Sequence, residues 1–251
     1  IKKINDKHIF DIKLDFKKNL INFTSLNYKT KEDSKTSLKF NGKLFKNETL
    51  DLEKIKFESG SDKISIDNLK LTNDYKISNL RSAMFDFIDK QNKKNIFQIN
   101  NKEGKYIISG KVFNASKLIE DLIFDDNKNR DIFDTDHILK IDINEVYLHD
   151  NYALYDLKGN LEFKDNNITS AKISSQFNDK DRFTFTIISN GDQKVTTLFS
   201  YQAKPFVKKF NFIKGFEKGT LDFYSIKSRD VTNSKLKIYD FNLKELPALT
   251  K

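Results

Sequence analysis

The sequence predicts a mainly β protein built as a long antiparallel meander with a few short amphipathic helices inserted. Three observations predict it. Apolar residues alternate with charged ones along many short stretches, the period-2 signature of strands with one dry and one wet side. Turn-forming clusters separate these stretches at hairpin spacing. A few segments break the alternation with apolar residues at helical spacing.

Along the chain, Phe10, Ile12, Leu14 and Phe16 share one face while Asp11, Lys13 and Asp15 share the other. Shorter copies follow at Leu38/Phe40, Leu50/Leu52, Ile55/Phe57, Ile64/Ile66 and Leu69/Leu71, with Asn41-Gly42 and Ser59-Gly60-Ser61-Asp62 read as turns. Leu80 to Asp89 places Leu80, Met84, Phe87 and Ile88 at helical spacing, so a helix is expected over about 80–89. A second helix is expected over about 115–124 from Leu118, Ile119, Leu122 and Ile123.

Strands resume at Ile141/Ile143, Leu161/Phe163 and Phe183/Phe185/Ile187, with turns at Asp165-Asn166-Asn167 and Asn190-Gly191-Asp192. A third helix is expected over about 203–213, where Pro205 suits a first turn and Phe206, Val207, Phe210 and Ile213 share a side. Leu221/Phe223 and Leu236/Ile238 complete the strands, and Leu246-Pro247-Ala248-Leu249 reads as the first turn of another helix.

The composition is that of a folded chain: 251 residues, 37% hydrophobic and 13% aromatic, with only 8 Gly and 2 Pro. The 45 Lys and Arg exceed the 36 Asp and Glu to give +9, which raises the question of nucleic acid or a lipid surface. Basic residues stand no more than two together and acidic ones are interleaved, so a mixed solvated surface is expected and no nucleic-acid site. With 0 Cys, disulfides, thiolate metal sites and Cys nucleophiles are excluded. The chain opens Ile1-Lys2-Lys3-Ile4, and the expectation is one continuous segment, 1–251, of a larger protein.

The catalytic inventory is thin. His8, His137 and His149 are the only histidines, and no nucleophile elbow, Walker or dinucleotide-binding pattern occurs. The expectation is no enzyme, no catalytic residue, no metal and no cofactor. The acidic run Asp125 to Asp136 mimics a calcium loop, but Arg130 stands where the sharp turn requires Gly, and it reads as a solvated loop. What stands out is apolar bulk, 23 Phe and 9 Tyr on strands whose other faces are Lys, Asp and Asn. Alternation alone leaves two architectures open: rings filling a sandwich, or one sheet whose apolar face stays available to something greasy.

Two segments carry a resemblance. Ile107-Ile108-Ser109-Gly110-Lys111-Val112-Phe113-Asn114-Ala115-Ser116-Lys117-Leu118-Ile119 resembles the strand, Gly, Asn-Ala-Ser, helix passage of AsmA-like proteins of the YhdP type. The run from Tyr201 to Lys251 is similar to the C-terminal signature of that family, through Ile213-Lys214-Gly215-Phe216, Lys235-Leu236-Lys237-Ile238-Tyr239-Asp240-Phe241-Asn242-Leu243 and Glu245-Leu246-Pro247-Ala248-Leu249. Ser234 stands where the family usually has Gly. The resemblance divides the chain into N-terminal strands over 1–113 and an AsmA-like region over 114–251.

This resemblance implies an elongated, curled β-sheet trough, part of an inner-membrane-anchored protein that crosses the periplasm of a diderm bacterium. It implies a conduit shielding phospholipid acyl chains between inner and outer membranes, with partners at the two membranes. The residues expected to line it are Phe10, Ile12, Leu14, Phe16, Leu161, Phe163, Phe183, Phe185, Ile187, Leu221, Phe223, Leu236 and Ile238. The alternative is a structural or assembly scaffold for outer-membrane protein biogenesis, a closed sandwich or TamB-like module without lipid.

Overall fold

The computed structural model describes residues 1–4, 6–17, 20–117, 133, 136–149, 152–165, 167–178, 180–209, 215–229 and 231–244. The alternation translates into strands β1 (Lys2–Ile4), β2 (Lys7–Phe16), β3 (Asn22–Phe23), β4 (Tyr28–Lys29), β5 (Thr36–Phe45), β6 (Leu50–Ser59), β7 (Asp62–Leu71) and β8 (Ile77–Ile88). These are followed by β9 (Lys94–Lys102), β10 (Lys105–Asn114), β11 (His137–His149), β12 (Tyr152–Lys164), β13 (Asn167–Gln176), β14 (Arg182–Asn190) and β15 (Gln193–Ser200). Helix α1 (Lys204–Lys209) precedes β16 (Phe216–Ser228) and β17 (Val231–Leu243). All but β3 and β4 join one open 15-stranded sheet in nearly sequential order, β1-β2-β5 and then β6 through β17.

The sheet is mixed rather than wholly antiparallel as expected. Strands β10 and β11 pair in parallel, with Ile108 opposite Ile141. A parallel neighbour requires the chain to return to the same end of the sheet before pairing, which a tight turn cannot do. The segment between Asn114 and His137 makes that return. The helix expected over 115–124 falls in this segment; Ala115, Ser116 and Lys117 lie within the described residues, the last two helical, and the rest of that range lies outside them. The acidic run up to Asp136 and the Leu246 to Leu249 turn fall outside them, Phe133 and Asp136 excepted.

The helix expected over 80–89 is instead the strand β8, paired with β7 and β9. The segment carries both periods at once: Leu80, Met84, Phe87 and Ile88 fit a helix, while Ala83, Phe85 and Phe87 fit a strand. Burial decides between them. Ala83, Phe85 and Phe87 are buried, and Met84 between them is 59% exposed. Two hydrogen-bonding neighbours supply a tertiary context that overrides the local helical pattern.

Asn41-Gly42 is likewise not a turn but lies within β5, where the register with β6 shifts at a bulge. A Cβ on Gly42 would stand 2.2 Å from the Asp51 carbonyl oxygen, so the close backbone approach requires glycine. The expected turns at Ser59 to Asp62 and Asn190 to Asp192 do join β6 to β7 and β14 to β15. The β9–β10 connection places both Glu103 (φ 53) and Gly104 (φ 79) in the left-handed region, as a tight two-residue hairpin loop requires.

The core is spread along the sheet in three clusters rather than gathered at one centre. One forms around Phe57, Phe85, Phe87 and Phe97, one around Ile143, Val146, Leu154 and Phe183, and one around Val207, Phe216 and Leu221. Two small elements cover parts of the apolar side. The β3–β4 hairpin drives Tyr28 to full burial, edge-on to Phe57 at 5.8 Å and Phe87 at 5.4 Å. Helix α1 buries Val207 completely and stacks Phe206 on Phe183 at 5.8 Å. Thus α1 packs on the apolar face, as its apolar side requires.

Candidate functional site: an apolar row across the sheet

Following the register from strand to strand reveals a continuous row of directly opposed apolar residues. It begins Ile12–Phe40–Ile55–Ile66–Ala83–Ile99 through β2, β5, β6, β7, β8 and β9. It continues Ile108–Ile141–Gly159–Ile173 through β10 to β13, and ends Phe185–Leu198–Phe223–Leu236 through β14 to β17. Opposed residues in a sheet point to the same face, so this is one stripe running perpendicular to the strands. Gly159 is the one position without a side chain. A Cβ there would lie 3.1 Å from the Ile173 side chain and 3.7 Å from that of Ile141, so its neighbours close over the gap.

A second apolar row flanks the first in the N-terminal half, Leu14–Leu38–Phe57–Ile64–Phe85–Phe97. On its other side, in the C-terminal half, runs Tyr106–Leu139–Leu161–Ala171–Ile187. Rings pack along the stripe, Phe10 edge-on to Phe40 at 5.9 Å and Phe85 stacked on Phe97 at 4.5 Å. The stripe is only partly sealed: most of the central row is half-buried, with Ala83 fully covered and Leu236 44% exposed.

The thirteen residues singled out from the sequence occupy strands β2, β12, β14, β16 and β17. Ile12, Phe185, Phe223 and Leu236 lie in the central row. Phe10, Leu14 and Phe16 alternate with Ile12 on the same side of β2. Leu161 and Phe163 share the side of Gly159, and Phe163 stands opposite the buried His137 and stacks on it at 4.5 Å. Phe183 and Ile187 are buried beside half-buried Phe185. Leu221 is buried and pairs with Ile238, which is half-buried. Leu14 remains 41% exposed.

Sequence reasoning missed Ile99, Ile108, Ile173 and Leu198, which link the halves of the row. The period-2 signal was present at Phe97/Ile99 in β9, but the polar Gln98, Asn100 and Asn101 around it resemble a loop.

The opposite face is polar. Thr186 and Thr197 share a hydrogen bond of 2.6 Å between their hydroxyls. Lys43 pairs with Glu53 at 2.7 Å, and hydrogen bonding to Lys43 holds that carboxyl below its ordinary range. On the apolar side, under the β3–β4 hairpin, the Tyr28 hydroxyl donates to Asp62 Oδ2 at 3.1 Å, and burial pushes the phenol up to about 12. At the end of β10, Asn114 donates through Nδ2 to Asp89 and Gln91 at 2.6 and 2.7 Å, and its Oδ1 accepts the Ser116 N–H at 3.1 Å. The Tyr28–Asp62 and Asn114 contacts position strand ends, while the Thr186–Thr197 and Lys43–Glu53 pairs lie within the strands.

Among the described residues no three His, Asp or Glu side chains gather where they could hold a metal ion. No helix among them is long and apolar enough to cross a membrane. The arrangement offers apolar area in a long stripe, which can desolvate a flexible hydrocarbon and has no directional chemistry. No family model matches this chain, and no curated protein or solved structure matches it.

Proposed function

We propose that this chain is a non-enzymatic segment of a lipid conduit, shielding phospholipid acyl chains in transit between the inner and outer membranes of a diderm bacterium. The observation that carries the reading is the unbroken apolar row from Ile12 to Leu236. A hydrocarbon chain needs only apolar surface, at about 25 cal/mol per Å² removed from water. The row runs across the strands, the direction in which 15 hydrogen-bonded strands extend roughly 70 Å at about 4.8 Å each. In this reading the sheet curls into a trough, the thirteen residues named from the sequence line it, and headgroups stay at the rim, where scattered Lys meet phosphate as point charges.

The sequence resemblance to AsmA-like proteins supports the same reading and supplies its setting, the periplasm, within a protein anchored in the inner membrane. A closed sandwich would set this face against a second sheet of similar size. Among the described residues the other sheet is β3–β4, which has two strands and covers only the Phe57 to Phe87 region.

The test is native mass spectrometry of detergent-free protein, followed by incubation with vesicles containing a fluorescent phospholipid. Co-purifying phospholipid, or uptake from the vesicles, is the expected result. Lipid-free protein that takes up none from the vesicles overturns the reading.

A further inference from the structure

On the apolar side of β14 to β17 the side chains change character in steps along the strands. The apolar row crosses here as Phe185–Leu198–Phe223–Leu236. Two residues away on each strand, the next row on the same side reads Ile187–Thr196–Ser225–Ser234. Two residues beyond that stand Ser189–Lys194–Lys227–Thr232, each directly opposite the next. No register shift interrupts the ladders between these rows, so all three point to one side of the sheet, about 7 Å apart.

Lys194 and Lys227 are therefore directly opposed cations on the side that carries the apolar row, and both lie on strands paired on each flank. Among the described residues neither pairs with a carboxylate. Asp192, in the adjoining turn, is held by Arg229 at 3.2 Å. Opposed lysines also occur on the polar side, Lys39 beside Lys56 and Lys102 beside Lys105, but all four are exposed to water. Lys194 differs in being half-buried. Its burial first, and then the charge of Lys227, push the ammonium below the ordinary lysine range. An anion set between the two favours the charged form of both.

We propose that the Lys194–Lys227 pair receives the phosphate of an anionic, ester-linked phospholipid whose acyl chains lie on the apolar row, an inference that rests on the conduit reading. The order of chemistry along the strands matches such a molecule from end to end. Phosphate meets two ammonium groups in charge-assisted contacts. The ester oxygens, next along the lipid, meet the hydroxyls of Thr196, Ser225 and Ser234, and the hydrocarbon meets Leu198 and Phe223. Ser225 and Ser234 bond to each other at 2.8 Å, which uses one of their two hydroxyl hydrogens and leaves the other to donate. The row of Lys194 and Lys227 holds no carboxylate to meet a headgroup ammonium. It therefore selects an anionic headgroup such as phosphatidylglycerol over zwitterionic phosphatidylcholine.

Uptake from vesicles of equal parts phosphatidylglycerol and phosphatidylcholine tests it, with the lipid on the recovered protein counted by mass spectrometry. Wild-type protein should carry phosphatidylglycerol in roughly fivefold excess, the upper range for a screened ion pair. Lys194→Gln/Lys227→Gln should carry the two in equal amounts, with phosphatidylcholine uptake unchanged. Lys39→Gln/Lys56→Gln, which removes the same charge from the polar side, should keep the excess. Circular dichroism establishes that each variant is folded. Should the lining double variant not fold, Lys227→Gln alone, at an exposed position, should lower the excess. Added inorganic phosphate, at matched ionic strength, should leave the preference intact, because the acyl chains hold the lipid in place. Phosphate that abolishes the preference assigns the pair to a free phosphate and overturns the lipid assignment. Equal uptake of both lipids by wild type overturns this inference and leaves the conduit standing, whereas uptake of neither overturns both. A folded lining variant that keeps the excess, or a polar-side variant that loses it, also overturns the inference.

Discussion

The Tyr28 hydroxyl donates a hydrogen bond to Asp62 Oδ2 at 3.1 Å across the seam between the β3–β4 hairpin and β7. Asp62 Oδ1 in turn accepts the Ile88 N–H at 3.1 Å, so one carboxylate fixes both the hairpin and the end of β8. Burial holds the phenol neutral up to about 12, against 10.0 for a free tyrosine. The raised value means that this stabilisation is fully present below pH 10 and is lost as the pH rises from 10 toward 12. Its size is about 3 kcal/mol. Tyr28→Phe should remove that alkaline loss, which urea midpoints measured at pH 9 and pH 11 would reveal.

Gly42→Val should destabilise the N-terminal half of the sheet. Its Cβ would meet the Asp51 carbonyl oxygen and the Leu52 Cα, at 2.2 and 3.0 Å, and backbone cannot move aside as a flexible side chain can. The expected cost is about 1–3 kcal/mol, the usual range for overpacking. Chemical denaturation followed by hydrogen exchange should place the added exchange in β5 and β6.

Phe206→Ala should loosen helix α1 without disturbing the strand ladder. The variant loses the stack on Phe183 and part of the apolar cover over β14. About 2 kcal/mol is expected for a half-buried ring. Faster amide exchange confined to residues 203–209, with β14 and β15 protected as before, is the signature to look for.

Phe185→Asp separates the conduit from a closed core. Phe185 is half-buried in the central row between Ile173 and Leu198. An aspartate there can reach water across an open face, so the fold should survive and phospholipid occupancy should fall by an order of magnitude or more. In a sealed core an unpaired carboxylate is costly enough to unfold a marginal domain. Folded protein with undiminished lipid uptake would remove Phe185 from the proposed lining.

The sequence by itself determined the mainly β class and, within the well-patterned strands, which side is apolar. Alternation is a property of the backbone pleat, so Phe10 to Phe16, Phe183 to Ile187 and Leu221 to Phe223 could be assigned to one face without any knowledge of their neighbours. Turn chemistry at Ser59 to Asp62 and Asn190 to Asp192 was legible for the same reason: it depends on local torsion angles. The β8 segment was not legible, because Leu80 to Ile88 satisfies the helical and the extended period together, and only pairing with β7 and β9 separates them. Nor was Asn41-Gly42, whose glycine serves a close approach to Asp51 in another strand. The parallel β10–β11 step and the register that aligns Ile12 with Leu236 across the whole sheet were decided by tertiary structure alone. Register between strands is set by bulges, connections and the matching of faces over long sequence separations, and no single strand contains that information.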